Sequence, residues 1–523
     1  MKSLFLLLLL FPCCLFSQEK ADVLITNGKI IDGTGNSWYI GAVAVKNGRI
    51  MAIGRDIKVN ALKTIDAKGL VVSPGFIDVH THLEGDEVRD PKAQSFIYDG
   101  VTTCITGNCG SSNVDAGKYL AWIDSLRLSI NVATLTGHND VRKNVMGRAN
   151  RDATPAEMEK MTALVDAAMR NGSLGLSTGL IYIPGTYTKT PEIVSLAKVA
   201  AKYNGVYASH MRDEGDSVLQ AIDEALTIGR EANIPVQISH FKLSGQQNWG
   251  RSRETVKKIE AARNEGIEVT IDQYPYTASS TSISTLIPDE ILADGQDSIR
   301  ARLSRPEVRK YVINSMLSRL KKRKLKHFSY AVVAYYAADT SFNGKSIEEI
   351  NRMRGKKHKA KDEAETVIEI MMNGGASAVF HGMGEEDVKR IMQYPFNMFA
   401  SDATIRILNA GMPHPRGYGT NARVLAKYVR DEKVISLEEA IRRMTSLPAQ
   451  KFQLSDRGLL RVGMAADILV FDPLTVQDQS TFAKPHAYST GFRYVLVNGE
   501  LTVDNGVHTK MRAGKALYGP GKK

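Results

Sequence analysis

The segment VVSPGFIDVHTHLEGD occupies residues 71–86 and sets a pattern that the middle of the chain repeats. It begins as an apolar run with β-branched residues, and a Ser-Pro-Gly turn at 73–75 interrupts it, which is typical of a short buried strand. His80 and His82 stand at its end. Side chains at i and i+2 of a strand share a face, so both imidazoles can face one point. Such a pair suits a borderline cation such as zinc. The alternative interpretation is that both histidines are polar residues at a strand end that faces solvent.

Apolar runs alternate with helical stretches through the middle of the chain. Eight runs can be placed, at Gly75–Val79, Val101–Thr106, Asn131–Thr136, Ser173–Ser177, Val206–Ser209, Pro235–Ser239, Val269–Asp272 and Phe396–Ala400. Stretches between them, such as 156–172 and 217–234, have apolar residues at the helical period. This alternation predicts an α/β fold of the (β/α)8 TIM-barrel type, whose chemistry lies at the carboxyl ends of the strands. Ala378–Phe380, just before His381, is an alternative seventh strand.

The two ends of the chain have a different sequence pattern from the middle. Residues 22–72 alternate short apolar runs with turns, and Asn-Gly pairs at 27–28 and 47–48 mark hairpins of a small antiparallel sheet. Short apolar runs alternating with turns occur again in the segments that begin at Arg457 and at Tyr494. We therefore predict that both ends pair into one small β-sandwich.

A long gap after the seventh barrel strand predicts an insert that is mostly helical and rich in Lys and Arg. By position, this insert covers the barrel mouth as a lid. The predicted organisation is a signal peptide (1–17), an N-terminal segment of the β-sandwich (18–72), a metal-dependent barrel (73–454) with an insert at about 280–372, and a C-terminal segment that completes the β-sandwich (455–523).

The N-terminus has the pattern of a targeting segment. Lys2 precedes an apolar run, Leu4–Phe16, that is too short to span a bilayer and matches a signal-peptide core. We expect an exported protein, periplasmic or secreted, without stable membrane insertion. A lipid anchor at Cys13 is disfavoured because its preceding residues make a poor lipoprotein box. Beyond this segment only Cys104 and Cys109 remain, too few for a disulfide framework.

Composition indicates a globular protein of enzyme size and argues against disorder. The 523 residues are 43% hydrophobic and 24% charged, with a formal net charge of +12. The positive excess is concentrated in two runs, RLKKRKLK at 319–326 and RMRGKKHKAK at 352–361. No aromatic residues interleave with them in register, so nucleic acid is not an expected partner. We interpret the runs as solvated helix faces, with a polyanion-binding module as the alternative.

Potential metal ligands follow the barrel strands with a regularity that chance does not explain. The chain has 11 histidines, and a small set of ligand-type residues falls where the barrel does its chemistry. These residues are His80, His82, Cys109 (in GNCG), His210 (in YASHMRDE), His240 (in QISHFK) and Asp402 (in FASDA). The set predicts a metal-dependent site.

These segments resemble the amidohydrolase superfamily and, within it, the N-acyl-D-amino-acid deacylases (D-aminoacylases). The resemblance covers nearly all of the chain that follows the targeting segment, and GNCG together with HPRGYGT indicates the deacylase branch. The matching pieces are PGFIDVHTH (74–82), GNCG (107–110), LSTGLIYIPG (176–185), SHMRDEGD (209–216), ISHFK (238–242), DQYPYTA (272–278), SDA (401–403), HPRGYGT (414–420) and GMAADILVFD (463–472).

The resemblance implies zinc-dependent hydrolysis of N-acyl-D-amino acids to a carboxylate and a D-amino acid. It implies one tight zinc position, formed by Cys109, His210 and His240, and possible use of a second, weaker one formed by His80, His82 and Asp402. A thiolate with two imidazoles is a natural zinc set that leaves a fourth position open. No lysine that could be carbamylated ends strand four (GLSTGL, 175–180), and Cys109 is expected to take that role. Whether one or two metals bind stays open.

Two residues are predicted to act on the reacting groups. Asp402, beside the metal, is expected to accept the proton of the attacking water and to deliver it to the leaving amine. His138, in TGHND at the end of strand three, is a candidate for stabilising the oxyanion. The alternative for His138 is that it caps the strand-end loop. Arg212 and Glu214 are expected to hold the loop after strand five.

A substrate with a free carboxylate requires cationic partners, and arginine gives the best bidentate fit. The resemblance supports Arg416 and Lys242 in this role, with Tyr274 or Tyr276 as a hydroxyl donor. An ion pair of structural purpose is the alternative for Arg416. Phe241 stands where the family often has a second histidine, so the preferred D-amino-acid side chain is open.

Other functions compete with this interpretation. A cyclic-amide hydrolase of the same superfamily would be favoured by a lysine on strand four, which the chain lacks there. A D-dipeptide hydrolase would use the same chemistry. A non-catalytic exported binding protein is a third alternative, but it has no need of the proton-transfer carboxylate of Asp402. Oligomeric state is not predicted by the sequence.

Overall fold

The structure, a computed structural model, describes residues 20–523. The predicted signal peptide (1–17) lies outside the described residues. None of the helices in residues 20–523 is both long and apolar enough to cross a lipid bilayer.

Strands occur in three groups, which the sheet topology separates. In chain order they are β1 (Ala21–Ile30), β2 (Tyr39–Lys46), β3 (Arg49–Gly54), β4 (Ala61–Asp66), β5 (Val71–Pro74), β6 (Phe76–Asp78), β7 (Val101–Thr106), β8 (Asn131–Thr134), β9 (Thr136–Gly137), β10 (Gly175–Gly179), β11 (Val206–His210), β12 (Val236–Ile238), β13 (Val269–Gln273), β14 (Ala278–Ser282), β15 (Ala331–Tyr335), β16 (Ser377–His381), β17 (Asn397–Phe399), β18 (Ile468–Phe471), β19 (Phe492–Val497), β20 (Glu500–Asp504) and β21 (Val507–His508).

Helices fill most of the connections. They are α1 (Gln94–Ile97), α2 (Ala116–Leu126), α3 (His138–Met146), α4 (Pro155–Arg170), α5 (Thr190–Ala201), α6 (Val218–Ala232), α7 (Ser252–Asn264), α8 (Gln296–Leu303), α9 (Pro306–Lys322), α10 (Ile347–Met353), α11 (Ala360–Met372), α12 (Glu385–Met392), α13 (Arg416–Arg423), α14 (Leu437–Met444) and α15 (Ser446–Lys451). Shorter 3-10 turns lie at Gly185–Tyr187, Gln246–Asn248, Ile283–Leu286, Asp289–Ile291 and Thr340–Phe342, and a π-helical segment at Val424–Asp431.

The central strands form the predicted parallel barrel. β6, β7 and β8 pair in that order, and β9, β10, β11, β12, β13 and β17 form the remaining wall. β8 and β9 are two halves of the third predicted run. Closure occurs between β17 and β6, where the Asp402 amide donates to the His80 carbonyl and the His82 amide donates to the Ala403 carbonyl. All eight predicted strand positions are confirmed, including Val269–Gln273 as the seventh.

Local sequence explains why the barrel helices begin where they do. α4 starts at Pro155 because Thr154 and Glu157 form a capping box, in which each side chain bonds the other's backbone amide. Its buried face includes Met161 and Val165 and packs with neighbouring helices into one apolar cluster. These helices thereby fix the strand order that brings the strand ends together.

Strands from both chain ends form one nine-stranded sheet beside the barrel. β18 runs antiparallel to β5, with Ile468 opposite Pro74, and this pairing joins the two ends. Val43, Ile468 and Val470 belong to the same fully buried core. The predicted shared β-structure is confirmed, but it is mixed, since β1 pairs with β4 and β5 in parallel. The purely antiparallel prediction was wrong because the segment after β3 crosses back before β4 begins.

The insert has a sheet of its own as well as helices. β14, β16 and β15 form a three-stranded antiparallel sheet, and α8–α11 pack on a separate apolar core that includes Ile313 and Val367. The sequence of β14, ASSTS, lacks alternating apolar residues and so gave no strand signal. The alternative seventh strand at Ala378–Phe380 belongs to this sheet. The residue boundaries drawn between sandwich, barrel and insert stay predictions.

Candidate metal centre and active site

The six predicted ligands lie together at the carboxyl ends of the barrel strands. Each follows or ends a different part of the wall: His80 and His82 follow β6, Cys109 follows β7, His210 ends β11, His240 follows β12 and Asp402 follows β17. Parallel strands place their carboxyl ends at one rim, which explains why residues so distant in sequence meet.

Cys109 is the centre of the first group of ligand atoms. Its Sγ lies 3.3 Å from His80 Nε2, 3.5 Å from His210 Nδ1 and 3.5 Å from His240 Nε2. All four side chains are buried. His210 Nε2 has no hydrogen-bond partner among the described residues. A thiol surrounded by imidazole nitrogens is the donor set that zinc prefers.

The second group lies against the first. His82 Nε2 is 3.2 Å and His80 Nε2 3.7 Å from Asp402 Oδ1. The potential ligand atoms of His80, His82 and Asp402 lie within 4.8 Å of one another, as do those of His80, Cys109 and His240. His80 therefore lies between the two groups, and the donor atoms present suit one or two metal ions.

Three of these residues have a positive φ, a backbone conformation that residues other than glycine rarely adopt. The φ angles are 53° at Cys109, 36° at His240 and 49° at Asp402. Such conformations cost about 1–3 kcal/mol each and persist where the surrounding structure enforces them, often at functional sites. Here the His240 amide donates to Asp272 Oδ1 at 2.8 Å, which helps to hold the strained turn.

Asp272 and Glu214 contact the ligands directly, although neither was predicted as a site residue. Asp272 Oδ1 lies 3.6 Å from His80 Nδ1, and Oδ2 accepts a 2.6 Å hydrogen bond from Gln237. Glu214 Oε1 lies 2.8 Å from His240 Nδ1. The prediction that Glu214 holds the loop after β11 therefore describes only part of its role, because Glu214 also contacts His240. Its place in SHMRDE, four residues after His210, was the signal that could have indicated this contact.

The charges around Cys109 and Asp402 favour the ionised forms of these two side chains, which are the forms that bind a cation. Burial alone would raise the pKa of the Cys109 thiol, but the neighbouring imidazoles of His80, His240 and His210 lower that pKa well below its ordinary value. Thiolate is the form that binds metal. Likewise, burial would raise the pKa of Asp402, and the Arg416 guanidinium lowers it well below its usual range. The donor set therefore fits a divalent metal ion.

Three of the predicted substrate-binding residues line the same region. Arg416 Nη1 lies 2.8 Å from Asp402 Oδ2, and its guanidinium lies 4.5 Å from the ring centre of Tyr274. Lys242 Nζ is 2.8 Å from His240 Nδ1. The buried hydroxyl of Tyr274 has no hydrogen-bond partner among the described residues. Cations and a free hydroxyl thus converge beside the ligands.

Tyr276 and His138 contact other neighbours. The ring of Tyr276 packs at 5.1 Å from that of His414. His138 is fully buried, with Nε2 3.0 Å from Glu192 Oε1 and Nδ1 3.4 Å from Asn139 Oδ1. The described contacts of His138 join it to α5 and to its neighbour Asn139, and none of them reaches the six predicted ligands.

A cavity of about 350 Å³ lies beside His82, Cys109 and Asp402. Tyr182 lines it, with its ring 4.8 Å from that of His210 and its hydroxyl 3.0 Å from Thr281 Oγ1 on β14. Tyr182 was not predicted as a site residue, although LSTGLIYIPG contains it. The volume suits a small molecule, and the insert supplies some of its wall.

Comparison with known proteins agrees with this geometry. Residues 63–503 match the amidohydrolase family. The chain is 35% identical to a D-aminoacylase of Alcaligenes xylosoxydans xylosoxydans, over 96% of this chain and 98% of the relative. It is 34% identical to an N-acyl-D-glutamate deacylase of the same organism, over 92% of this chain and 93% of the relative.

A solved structure extends the comparison to three dimensions. The N-acyl-D-glutamate deacylase of Bordetella bronchiseptica, complexed with zinc and a phosphonate inhibitor that mimics the tetrahedral intermediate, superposes with a TM-score of 0.82 at 34% identity, covering 96% of this chain and all of that one. The resemblance expected from the sequence motifs is confirmed: the chain belongs to the amidohydrolase family and, within it, to the D-aminoacylase branch.

Proposed function

We propose that this protein is a zinc-dependent N-acyl-D-amino-acid deacylase, which hydrolyses the amide bond to release a carboxylate and a D-amino acid. The observation that carries the proposal is the placement of Cys109 Sγ within 3.5 Å of three imidazole nitrogens, next to Asp402. Full-length similarity to D-aminoacylase and N-acyl-D-glutamate deacylase supports the same substrate class.

As the resemblance to the deacylases implies, Cys109, His210 and His240 would form the tight metal position, and His80, His82 and Asp402 a second, weaker one. The 3.5 Å distances from Cys109 Sγ to His210 Nδ1 and His240 Nε2 support the first set. Zinc held there would supply Lewis acidity for lowering the pKa of a water molecule and for polarising the amide carbonyl. Glu214 and Asp272 orient the ligand side chains, as carboxylates behind metal-binding histidines commonly do.

Asp402 is the residue that moves the proton. Its low pKa keeps it ionised at neutral pH, so it can accept a proton from the attacking water. The same carboxyl group then delivers that proton to the leaving nitrogen. Tyr182 lines the cavity beside His210 and would limit the access of bulk water to the reacting groups.

Arg416, Lys242 and Tyr274 would bind the α-carboxylate of the substrate. Arg416 Nε is buried without a hydrogen-bond partner among the described residues, and so is the Tyr274 hydroxyl. Buried donors without partners are costly, and a carboxylate that accepts from both removes this cost. The pairing of Arg416 with Asp402 also ties substrate binding to the proton-transfer group.

We further infer that the protein acts outside the cytoplasm, in the periplasm or the medium, on small molecules with a free carboxylate. The N-terminal targeting pattern of residues 1–17 supports this location. Fractionation of cells that express the full-length chain tests the location. A mature protein without residues 1–17 in the periplasm or medium is expected, and full-length protein confined to the cytoplasm would contradict it.

The activity is tested with matched N-acetyl-D- and N-acetyl-L-amino acids and the protein lacking residues 1–17. We expect release of the D-amino acid and little release of the L-enantiomer. Asp402→Asn should lower the D-specific rate by about 10²–10⁴-fold, as expected for loss of a general base. Asp431→Asn, at an exposed aspartate, is the control and should retain the rate. Hydrolysis of cyclic amides alone, or preference for the L-series, would refute the proposal.

A further inference from the structure

A second cluster of ligand-type side chains lies on the insert, apart from the barrel mouth. It consists of His327 in the loop before β15, His358 in the loop between α10 and α11, and Glu363 on α11. Their potential ligand atoms lie within 4.8 Å of one another. We propose that this cluster, with Glu348 of α10, is a binding site for a zinc-type divalent cation, separate from the barrel centre and independent of the proposed function.

The donor set has the chemistry of a zinc site. His327 Nδ1 lies 2.6 Å from Glu363 Oε1, and His358 Nε2 lies 2.7 Å from Glu348 Oε1. The two imidazole rings are stacked, with centroids 4.2 Å apart and planes at 12°. Two imidazoles with two carboxylates provide four ligands of the types that zinc takes. Because His358 is half exposed, its ring has room to turn a nitrogen toward the ion.

The carboxylate of Glu363 is in an environment that requires a positive charge. It is fully buried, and its described hydrogen-bond donors are the His327 ring and the Phe328 amide. No lysine or arginine is paired with it among the described residues. The ion-pair partner of Glu363 is His327, which is charged only when it is protonated, and a bound metal ion would supply positive charge to the buried carboxylate without that proton.

Carboxylates neutralise part of the positive charge beside the site. Arg354 and Lys356 both contact Glu369. Arg352 lies 3.7 Å from Glu348, so a bound cation would share this carboxylate with Arg352. An ion held by His327, His358 and Glu363 would join the loop before β15 to the α10–α11 connection. It would therefore brace the insert and would have no role in the reaction.

The test counts zinc bound per chain, with purified protein that has no polyhistidine tag. Zinc is the titrant in equilibrium dialysis, and metal is quantified by elemental analysis. We expect His358→Ala to bind one equivalent fewer than the unmodified protein and to keep its hydrolytic rate. His381→Ala removes an exposed histidine from the same insert and should bind as much zinc as the unmodified protein.

His327→Ala should also bind one equivalent of zinc fewer than the unmodified protein. When cobalt replaces zinc, the absorption band of cobalt at the insert cluster should be present only in protein that retains both His327 and His358. If His327→Ala does not fold, because Glu363 then lacks its side-chain partner, the half-exposed His358 still decides the question. Equal zinc binding by His358→Ala and the unmodified protein would overturn the proposal. Loss of the equivalent in His381→Ala as well would also overturn it.

Discussion

The barrel mouth and the insert contain similar side chains but hold them in different ways. At the mouth, His82 and Asp402 are in contact although 320 residues separate them, and most of the ligands are buried. On the insert, 36 residues separate His327 from Glu363, and His358 is half exposed. The first cluster is fixed by barrel topology, and the second by two loops and helix α11.

This difference has a consequence for what each cluster can do. The mouth imposes unusual backbone angles on three ligands and brings a low-pKa carboxylate, Asp402, beside them, which is an arrangement suited to chemistry. Among residues 20–523, the insert cluster has no adjoining buried cation–carboxylate pair like Arg416 with Asp402. We therefore expect substitutions of the candidate ligands at the mouth to affect turnover, and substitutions of His327, His358 or Glu363 on the insert to affect metal count or stability alone.

The largest effect is expected from Cys109→Ala. Because Cys109 contacts three imidazoles, its removal should abolish tight metal binding in the barrel and lower kcat/KM by at least about 10⁴-fold, as when residues act as a unit. Elemental analysis and the rate with an N-acetyl-D-amino acid measure both losses. Cys104→Ala changes the other buried cysteine and should keep both metal and rate. Equal behaviour of the two variants would contradict the central role of Cys109.

Arg416→Met should have a smaller effect with a distinct pH signature. Loss of a buried charged contact to the substrate should raise KM by about 30-fold, equivalent to about 2 kcal/mol. Because Arg416 lowers the pKa of Asp402, that pKa should rise in the variant, and the acid limb of kcat/KM should move to higher pH.

The matched control for Arg416→Met is Arg423→Met. Arg423 lies over the ring of Tyr276 and pairs with Asp478, away from the ligands. The Arg423→Met variant should keep the KM and the acid limb of kcat/KM of the unmodified protein. An acid limb that moves to lower pH in Arg416→Met, or that does not move, would show that Arg416 does not set the charge state of Asp402.

The smallest effect is expected from shortening the insert. Ser282 of β14 and Ser377 of β16 are paired, so an Asn-Gly turn can replace residues 283–376 and retain Ser280 and Thr281 at the site. The insert has a separate core, so barrel metal should remain, while discrimination between substrates should fall by about 10-fold. Unchanged discrimination in steady-state assays would argue against the lid role, and loss of barrel metal would show that the two regions fold together.

Much of the barrel was predictable because its signals are local. Each strand is a short apolar run, and each candidate ligand lies at or just after such a run, so the strand-end rule predicted that the six candidates, from His80 to Asp402, lie at one rim. The residues that hold them depend on packing between strands. Asp272 supports His80 and His240 across the sheet, and no spacing rule in a single sequence indicates that contact.

The insert was less predictable for the same reason. β14 is a polar segment that becomes a strand because β16 pairs with it, and its Thr281 reaches Tyr182 across the mouth. The environment of His138 also depends on a distant residue, Glu192 of α5. In each case, the deciding contact is tertiary and leaves no periodic pattern along the chain.

The most direct test of the central claim is metal removal and return, measured on His358→Ala so that the barrel site alone is observed. Metal content and hydrolysis of an N-acetyl-D-amino acid are followed on the same sample as a chelator strips the protein and zinc is added back. We predict that the rate falls with the loss of bound metal and returns with one tightly bound zinc per chain. Full D-selective activity in metal-free protein would contradict the account.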